Sequence, residues 1–281
     1  MAAVAGTDAT KSSLNGDALD ARYRSMARRE FHHLLLMHFG FFAVLLTLWQ
    51  LSTYRISPLL IPSPLTVVKS LFSQIADGTI PAAVIQSFEI YFIGYLLAAV
   101  AGVAIGALMG SNELVEHALE PYVNFLYSTP RIAFIPLVIV WFGIGTQAKL
   151  VLIFLSTVFV ILIPVYTGVK QVDRTFIEVA RSYGLKGRGM ATKVLFPAIV
   201  PYLVSGLRLG AADAFIAMIT AEMFVQARGL GFLVRLYGDS FQAGNLIAVT
   251  IILILLGVLF AGGLSRLERK WMPWNQDTYL G

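Results

Sequence analysis

Long apolar runs separated by short polar punctuation dominate this chain, and their lengths set the first expectation. The runs at about 34–53, 82–109, 119–142, 150–168, 198–225 and 246–264 each reach the roughly 18 residues at which a membrane span is a better reading than a buried soluble helix. The predicted fold class is therefore an all-α membrane protein with six transmembrane helices. Pro58, Pro62 and Pro64 cannot continue the first helix and mark its end. Val67, Val68, Leu71, Phe72 and Ile75 then recur at helical spacing over a stretch too short to span, which predicts a helix lying at the interface. In the second run, Gly94, Gly102, Gly106 and Gly110 place small residues on one face, a pattern that permits close helix packing in lipid.

One polar segment breaks the rhythm. Between the fourth and fifth runs, residues 170–197 carry a periodic stretch, Phe176, Val179, Ala180 and Tyr183, whose spacing predicts a short amphipathic helix ended by Gly184. Arg181, Lys186 and Arg188 ring it with positive charge. A surface helix of this kind is shaped to sit in another protein's groove.

Composition changes the picture only by removing rivals. With 57% hydrophobic and 13% charged residues and a mean hydropathy of +0.75, a large soluble domain is excluded. The net charge of +5 needs no nucleic-acid partner, because the basic residues collect at segment ends. Lys and Arg number five in the N-terminal tail, six from Lys170 to Lys193 and three in the C-terminal tail, against five in segments assigned outside. The positive-inside rule then puts both tails and the 170–197 loop in the cytoplasm. The turn at 111–117, expected on the same side, carries Glu113 and Glu116 and no Lys or Arg. Domain boundaries follow: a cytoplasmic tail at 1–33, a transmembrane domain at 34–265 and a second cytoplasmic tail at 266–281. The first thirty residues lack the short apolar core of a signal peptide. The chain has no cysteine, so neither disulfides nor thiolate metal sites arise.

The 178–197 stretch, EVARSYGLKGRGMATKVLFP, resembles the cytoplasmic coupling loop of ATP-binding cassette importer permeases through Glu178, Ala180, Gly184 and Pro197. Further stretches, IPSP at 61–64, PRIAFIPLVIVWFGIG at 130–145, SGLRLG at 205–210 and AEMFVQARGLGFLV at 221–234, are similar to the subfamily that imports sulfonates, taurine, nitrate, aromatic carboxylates and pyrimidine precursors. The resemblance implies a type I importer permease fold of a binding-protein-dependent system in the bacterial inner membrane. It further implies a homodimer of permease subunits, two ATPase subunits carrying ATP and Mg, and an extracytoplasmic solute-binding protein. Glu178, Ala180, Arg181, Ser182, Gly184, Leu185 and Pro197 would form the ATPase-coupling site. Two departures from the subfamily pattern bear on cargo: Asp213 stands where relatives carry an uncharged residue, and Ile90, beside Glu89, where they carry an arginine. Ala191 likewise replaces a bulky aromatic in the coupling loop, a space that Met190 or Leu195 could fill.

No phosphate-binding GxxxxGK[ST] pattern occurs, so the chain is not expected to be an enzyme or to bind a cofactor, and hydrolysis belongs to a partner. No metal site is expected. Ionisable residues within spans require a reason. Arg131 and Arg208 are expected either to neutralise Asp213 and Glu222 or to contact cargo. With Ser128, Ser156, Phe215 and Thr220 they make up the candidate translocation path. Glu222, next to a Gly-Leu-Gly turn, points to architecture more than to substrate. Tyr127, Trp141 and Phe142 are candidates for stacking a planar cargo. The leading expectation is an importer of a small organic anion or nitrate. The alternatives are an ion-coupled secondary transporter with Asp213 and Glu222 as a relay, and a same-family importer of a neutral or cationic pyrimidine.

Overall fold

The computed structural model describes residues 36–57, 59–225 and 228–271. It divides into two units, Met1–Thr66 and Val67–Gly281. In the first, α1 (Leu36–Ser52) is apolar along its length. The Trp49 indole N–H donates to the carbonyl of Pro62 at 3.0 Å, which folds the proline-rich exit back onto the last turn. The expected tail at 1–33 lies outside the described residues.

Helix α2 (Pro64–Ala76) is the predicted interfacial helix. In the second unit, three long helices make the centre: α3 (Thr79–Ser111), α6 (Thr146–Lys170) and α8 (Phe196–Val225), with α6 between the other two. Glycine makes this possible. A Cβ on Gly102 would meet the Val158 carbonyl oxygen at 2.8 Å, and one on Gly106 the Leu162 carbonyl oxygen at 2.6 Å. Gly206 and Gly210 of α8 also approach α6 around Ile161. In lipid the association of helices rests on close van der Waals contact, so the missing side chains are what let three backbones approach.

The third expected span is not one helix. α4 (Glu113–Ser128) stops at Thr129 and Pro130, a 3-10 turn covers Arg131–Phe134, and α5 (Ile135–Phe142) continues at 94° to α4. Hydropathy runs unbroken through this stretch, which hid the break. The physical reason is Pro130: it cannot donate to the helix ladder and biases Thr129 to the extended conformation it adopts, with ψ 133°.

After α6 the chain forms α7 (Arg174–Ser182), a helical turn at Arg188–Met190 and a wide π turn at Ala191–Leu195 that leads into α8. Then α9 (Leu230–Asp239) folds back on α8, and α10 (Ala243–Trp271) closes the unit. Rings from three helices meet where Phe260 of α10 packs edge-on against Tyr91 of α3 and stacks on Phe215 of α8.

Glu116, from the acidic turn, accepts from the Tyr166 hydroxyl at 2.5 Å and from Lys170 Nζ at 2.7 Å. The start of α4 is thereby tied to the end of α6. The Tyr202 hydroxyl donates to Gln171 Oε1 at 2.6 Å, which ties α8 to the same end. The turn that lacks its own basic residue borrows Lys170 from across the bundle.

Candidate translocation cavity and coupling helix

The break between α4 and α5 interrupts the regular helical ladder within an apolar stretch, and such irregular backbone is tolerated in a membrane only where protein buries it or a water-filled cavity wets it. Here it opens onto a cavity of about 430 Å3, lined at the break by Ser128, Thr129, Pro130 and Arg131. The opposite wall comes from Ser156 of α6 and from Asp213 and Thr220 of α8.

Arg131 organises this space. Its Nη1 donates to Asp213 Oδ1 at 2.6 Å and to Ser156 Oγ at 3.2 Å, and its guanidinium carbon lies 5.8 Å from the centre of the Tyr127 ring. Asp213 Oδ2 accepts from Thr157 at 3.4 Å. The Thr220 hydroxyl donates to the Ile216 carbonyl of its own helix, the usual fate of a hydroxyl in a span. Of the aromatic candidates, Tyr127 lines this cavity, Trp141 lines a smaller apolar pocket that Arg131 also borders, and Phe142 is exposed and lines neither.

Three other candidates stand elsewhere. Arg208 pairs with Glu268 of α10 at 2.5 Å, not with Asp213 or Glu222. Together with Phe215 it lines a separate, largely apolar cavity of about 600 Å3 between α8 and α10. Glu222 is fully buried and, among the described residues, pairs with no arginine. Both its oxygens lie 2.9 Å from the Ser87 hydroxyl, and Oε2 accepts from the Gly231 amide at 2.9 Å. Ser87 in turn accepts from the Leu230 amide at 2.9 Å. The carboxylate therefore caps the start of α9, whose first amides need an acceptor. The two glycines of the turn are required by it. A Cβ at Gly229, where φ is +113°, would collide with the carboxylate, and one at Gly231 with the Ile219 carbonyl.

Ser87 and Lys149, which no motif or spacing singles out, hold the start of α9 and the turn before it. Lys149, one of the five basic residues that the span boundaries assign outside, lies within α6, buried, and donates to the Arg228 carbonyl at 2.5 Å. Its signal was present, a lysine in the first turn of an apolar helix, but spans were counted from the first apolar residue. Glu89 sits on the exposed face of α3.

The coupling segment is built by its caps. Asp173 Oδ1 accepts from the Thr175 amide at 2.8 Å and starts α7. That bond holds the Asp173 carboxyl below its ordinary range. The cap is thus Asp173, whereas Glu178 lies mid-helix and gives its carbonyl to the Ser182 hydroxyl. At the other end Leu185 N–H bonds the Ala180 carbonyl at 3.0 Å and Gly184 N–H the Arg181 carbonyl at 2.9 Å, with Gly184 at φ +81°. This is a Schellman closure, and it needs the left-handed residue that Gly184 supplies. Ala180 is buried against the chain, while Phe176, Val179 and Tyr183 are exposed, Tyr183 at 85%. Glu178, Arg181, Ser182 and Pro197 are exposed, Leu185 and Leu195 half-buried and Met190 buried.

Residues 98–272 match the family described as the binding-protein-dependent transport system inner membrane component. The chain belongs to this family. The permease is 29% identical to the taurine transport system permease protein TauC of Escherichia coli, over 85% of this chain and 90% of that one. It is 32% identical to the putative aliphatic sulfonates transport permease protein SsuC of the same organism, over 84% and 90%. Its fold is that of the MetNI methionine transporter in an inward-facing form, with a TM-score of 0.62 at 23% identity, covering 70% of this chain and 98% of that one. The permease is thus a multi-pass membrane component of an ABC-type importer with the type I fold.

Proposed function

We propose that this permease works as a homodimer with two ATPase subunits that carry ATP and Mg, and with an external binding protein, to import a small sulfonate-type solute into the cell. The single observation that carries the reading is α7. It is a capped helix outside the spans that turns Phe176, Val179 and Tyr183 outward. Large apolar side chains presented together to water mark a protein contact. In this arrangement α7 is the surface on which an ATPase docks, with Glu178, Arg181 and Ser182 around the anchors and Gly184, Leu185 and Pro197 shaping the return to α8. Both chain ends and α7 then face the cytoplasm, as the charge distribution favours.

Movement of a docked α7 has a path inward. Its first residue follows closely on Lys170 and Gln171, which are bound to α4 through Glu116 and to α8 through Tyr202. α4 leads to the break at Arg131, and α8 carries Asp213, so the two walls of the cavity are those that α7 can pull apart. The cargo assignment rests on the taurine and sulfonate relatives and on a guanidinium in a cavity of suitable size.

The test is co-purification and ATP hydrolysis of the permease with its ATPase in proteoliposomes. Phe176→Ala with Tyr183→Ala should weaken ATPase association at least about tenfold, as loss of aromatic anchors does elsewhere, and abolish cargo-stimulated hydrolysis. Unaltered association in that double variant would refute docking on α7.

A further inference from the structure

We infer that the Arg131–Asp213 pair makes the cavity selective for a small zwitterion, a molecule bearing both an ammonium and an anionic group, over a simple anion. The inference rests on the importer reading above and names the cargo class that the same cavity prefers.

The pair lies deep in the span. Asp213 is 17 residues beyond Phe196 and 12 before Val225, the ends of α8, or about 18 Å from the nearer end at a rise of about 1.5 Å per residue. At such depth a lone arginine would draw in any anion. Here the one basic and the one acidic side chain of the lining, Arg131 and Asp213, lie 2.6 Å apart, so their formal charges cancel. A simple anion approaching Arg131 must either displace Asp213, leaving that carboxylate without its counter-charge, or remain beside it against repulsion. A zwitterion meets neither penalty. Its anionic end takes guanidinium N–H groups while its ammonium supplies Asp213 with the charge it shares.

The bonding capacity for this exists. Arg131 makes its protein hydrogen bonds through Nη1, and among the described residues nothing accepts from Nε or Nη2. Asp213 Oδ2 has a single long bond, from Thr157. Both side chains remain reachable, at 32% and 22% exposure. Ser128 stands at the same wall with a further hydroxyl. A pair that served structure alone would be expected to saturate these positions within the protein. The volume of about 430 Å3 leaves room for a small organic molecule with both groups.

The experiment measures equilibrium binding of 2-aminoethanesulfonate, ethanesulfonate and ethylammonium to the full-length permease, with and without its ATPase. Wild type should prefer 2-aminoethanesulfonate to ethanesulfonate by at least about tenfold, the scale of one charge-assisted hydrogen bond. Asp213→Asn, nearly isosteric, should erase or invert that preference. Arg131→Asp combined with Asp213→Arg, which keeps both charges, should restore it. Equal binding of the two sulfonates by wild type, a ratio unchanged in Asp213→Asn, or no binding of any probe to wild type would each overturn the inference. ATP hydrolysis on the same preparations separates the two failures. A complex that hydrolyses ATP in response to cargo while the ratio stays fixed removes only this inference, whereas an ATPase that never associates removes the importer reading.

Discussion

At the scale of single residues, the buried and half-buried charges divide into two kinds by what completes them. Glu222 is satisfied by a hydroxyl and a backbone amide and is closed off from every cavity described above. Arg131 and Asp213 are satisfied by each other and remain open to a cavity. The first arrangement holds structure, and the second leaves chemistry available. Removing Glu222 strands the Gly231 amide and the Ser87 hydroxyl, at about 1–3 kcal/mol for each buried group left unpaired. Glu222→Ala should therefore lower the melting temperature of the detergent-solubilised permease by several degrees and loosen α9, read as faster amide exchange at Leu230 and Gly231. An unchanged melting temperature would show that α9 is held by packing alone.

At the scale of elements, α7 and the α4–α5 break are both made by local rules that override the hydropathy around them. The Asp173 cap gives α7 a pH dependence with a definite sign. Its carboxyl is held below the ordinary range by the Thr175 amide. The ionised cap thus contributes in full above the unfolded pKa, and the contribution is lost as pH falls through the lower folded value. Amide protection at Thr175 and Phe176 should start to drop as pH falls to about 4, the ordinary aspartate value, and keep dropping below it. Asp173→Asn keeps an acceptor oxygen and should flatten that dependence; protection that still falls with pH in this variant would assign it to another group. The break is a matter of Pro130 and the conformation it imposes on Thr129, and it puts Arg131 at a bend instead of on a helix face.

At the scale of the whole molecule, the stacking of α3, α6 and α8 decides which polar residues can meet. Gly94, Gly102, Gly106 and Gly110 all approach α6, as the small-residue spacing suggested. Gly106→Val would push a side chain into the Leu162 carbonyl, and over-packing of this kind costs about 1–3 kcal/mol. Its expected outcome is a clear loss of thermal stability, with Gly40→Ala, which meets nothing within 4 Å, as a neutral comparison. Equal stability of the two variants would mean the helices separate without cost.

The sequence by itself determined the all-helical, multi-pass class, the short helix at Pro64–Ala76, the amphipathic α7 and its end at Gly184, because these follow from composition, period and backbone preference within a few residues of each other. It marked Asp213 and Arg131 as residues in need of a partner without choosing among the arginines and acids. Only the tertiary structure decided that Arg131 takes Asp213, that Arg208 takes Glu268, that Glu222 takes Ser87 and Gly231, and that Lys149 is interior. Apart from the Glu222–Gly231 contact, which closes a turn of the chain, each of those pairs, and the carbonyl that Lys149 reaches, joins segments far apart in the chain. Periodicity reports which face of a helix is apolar, but the partner across an interface depends on how neighbouring helices are rotated and shifted, and the close glycine contacts set that.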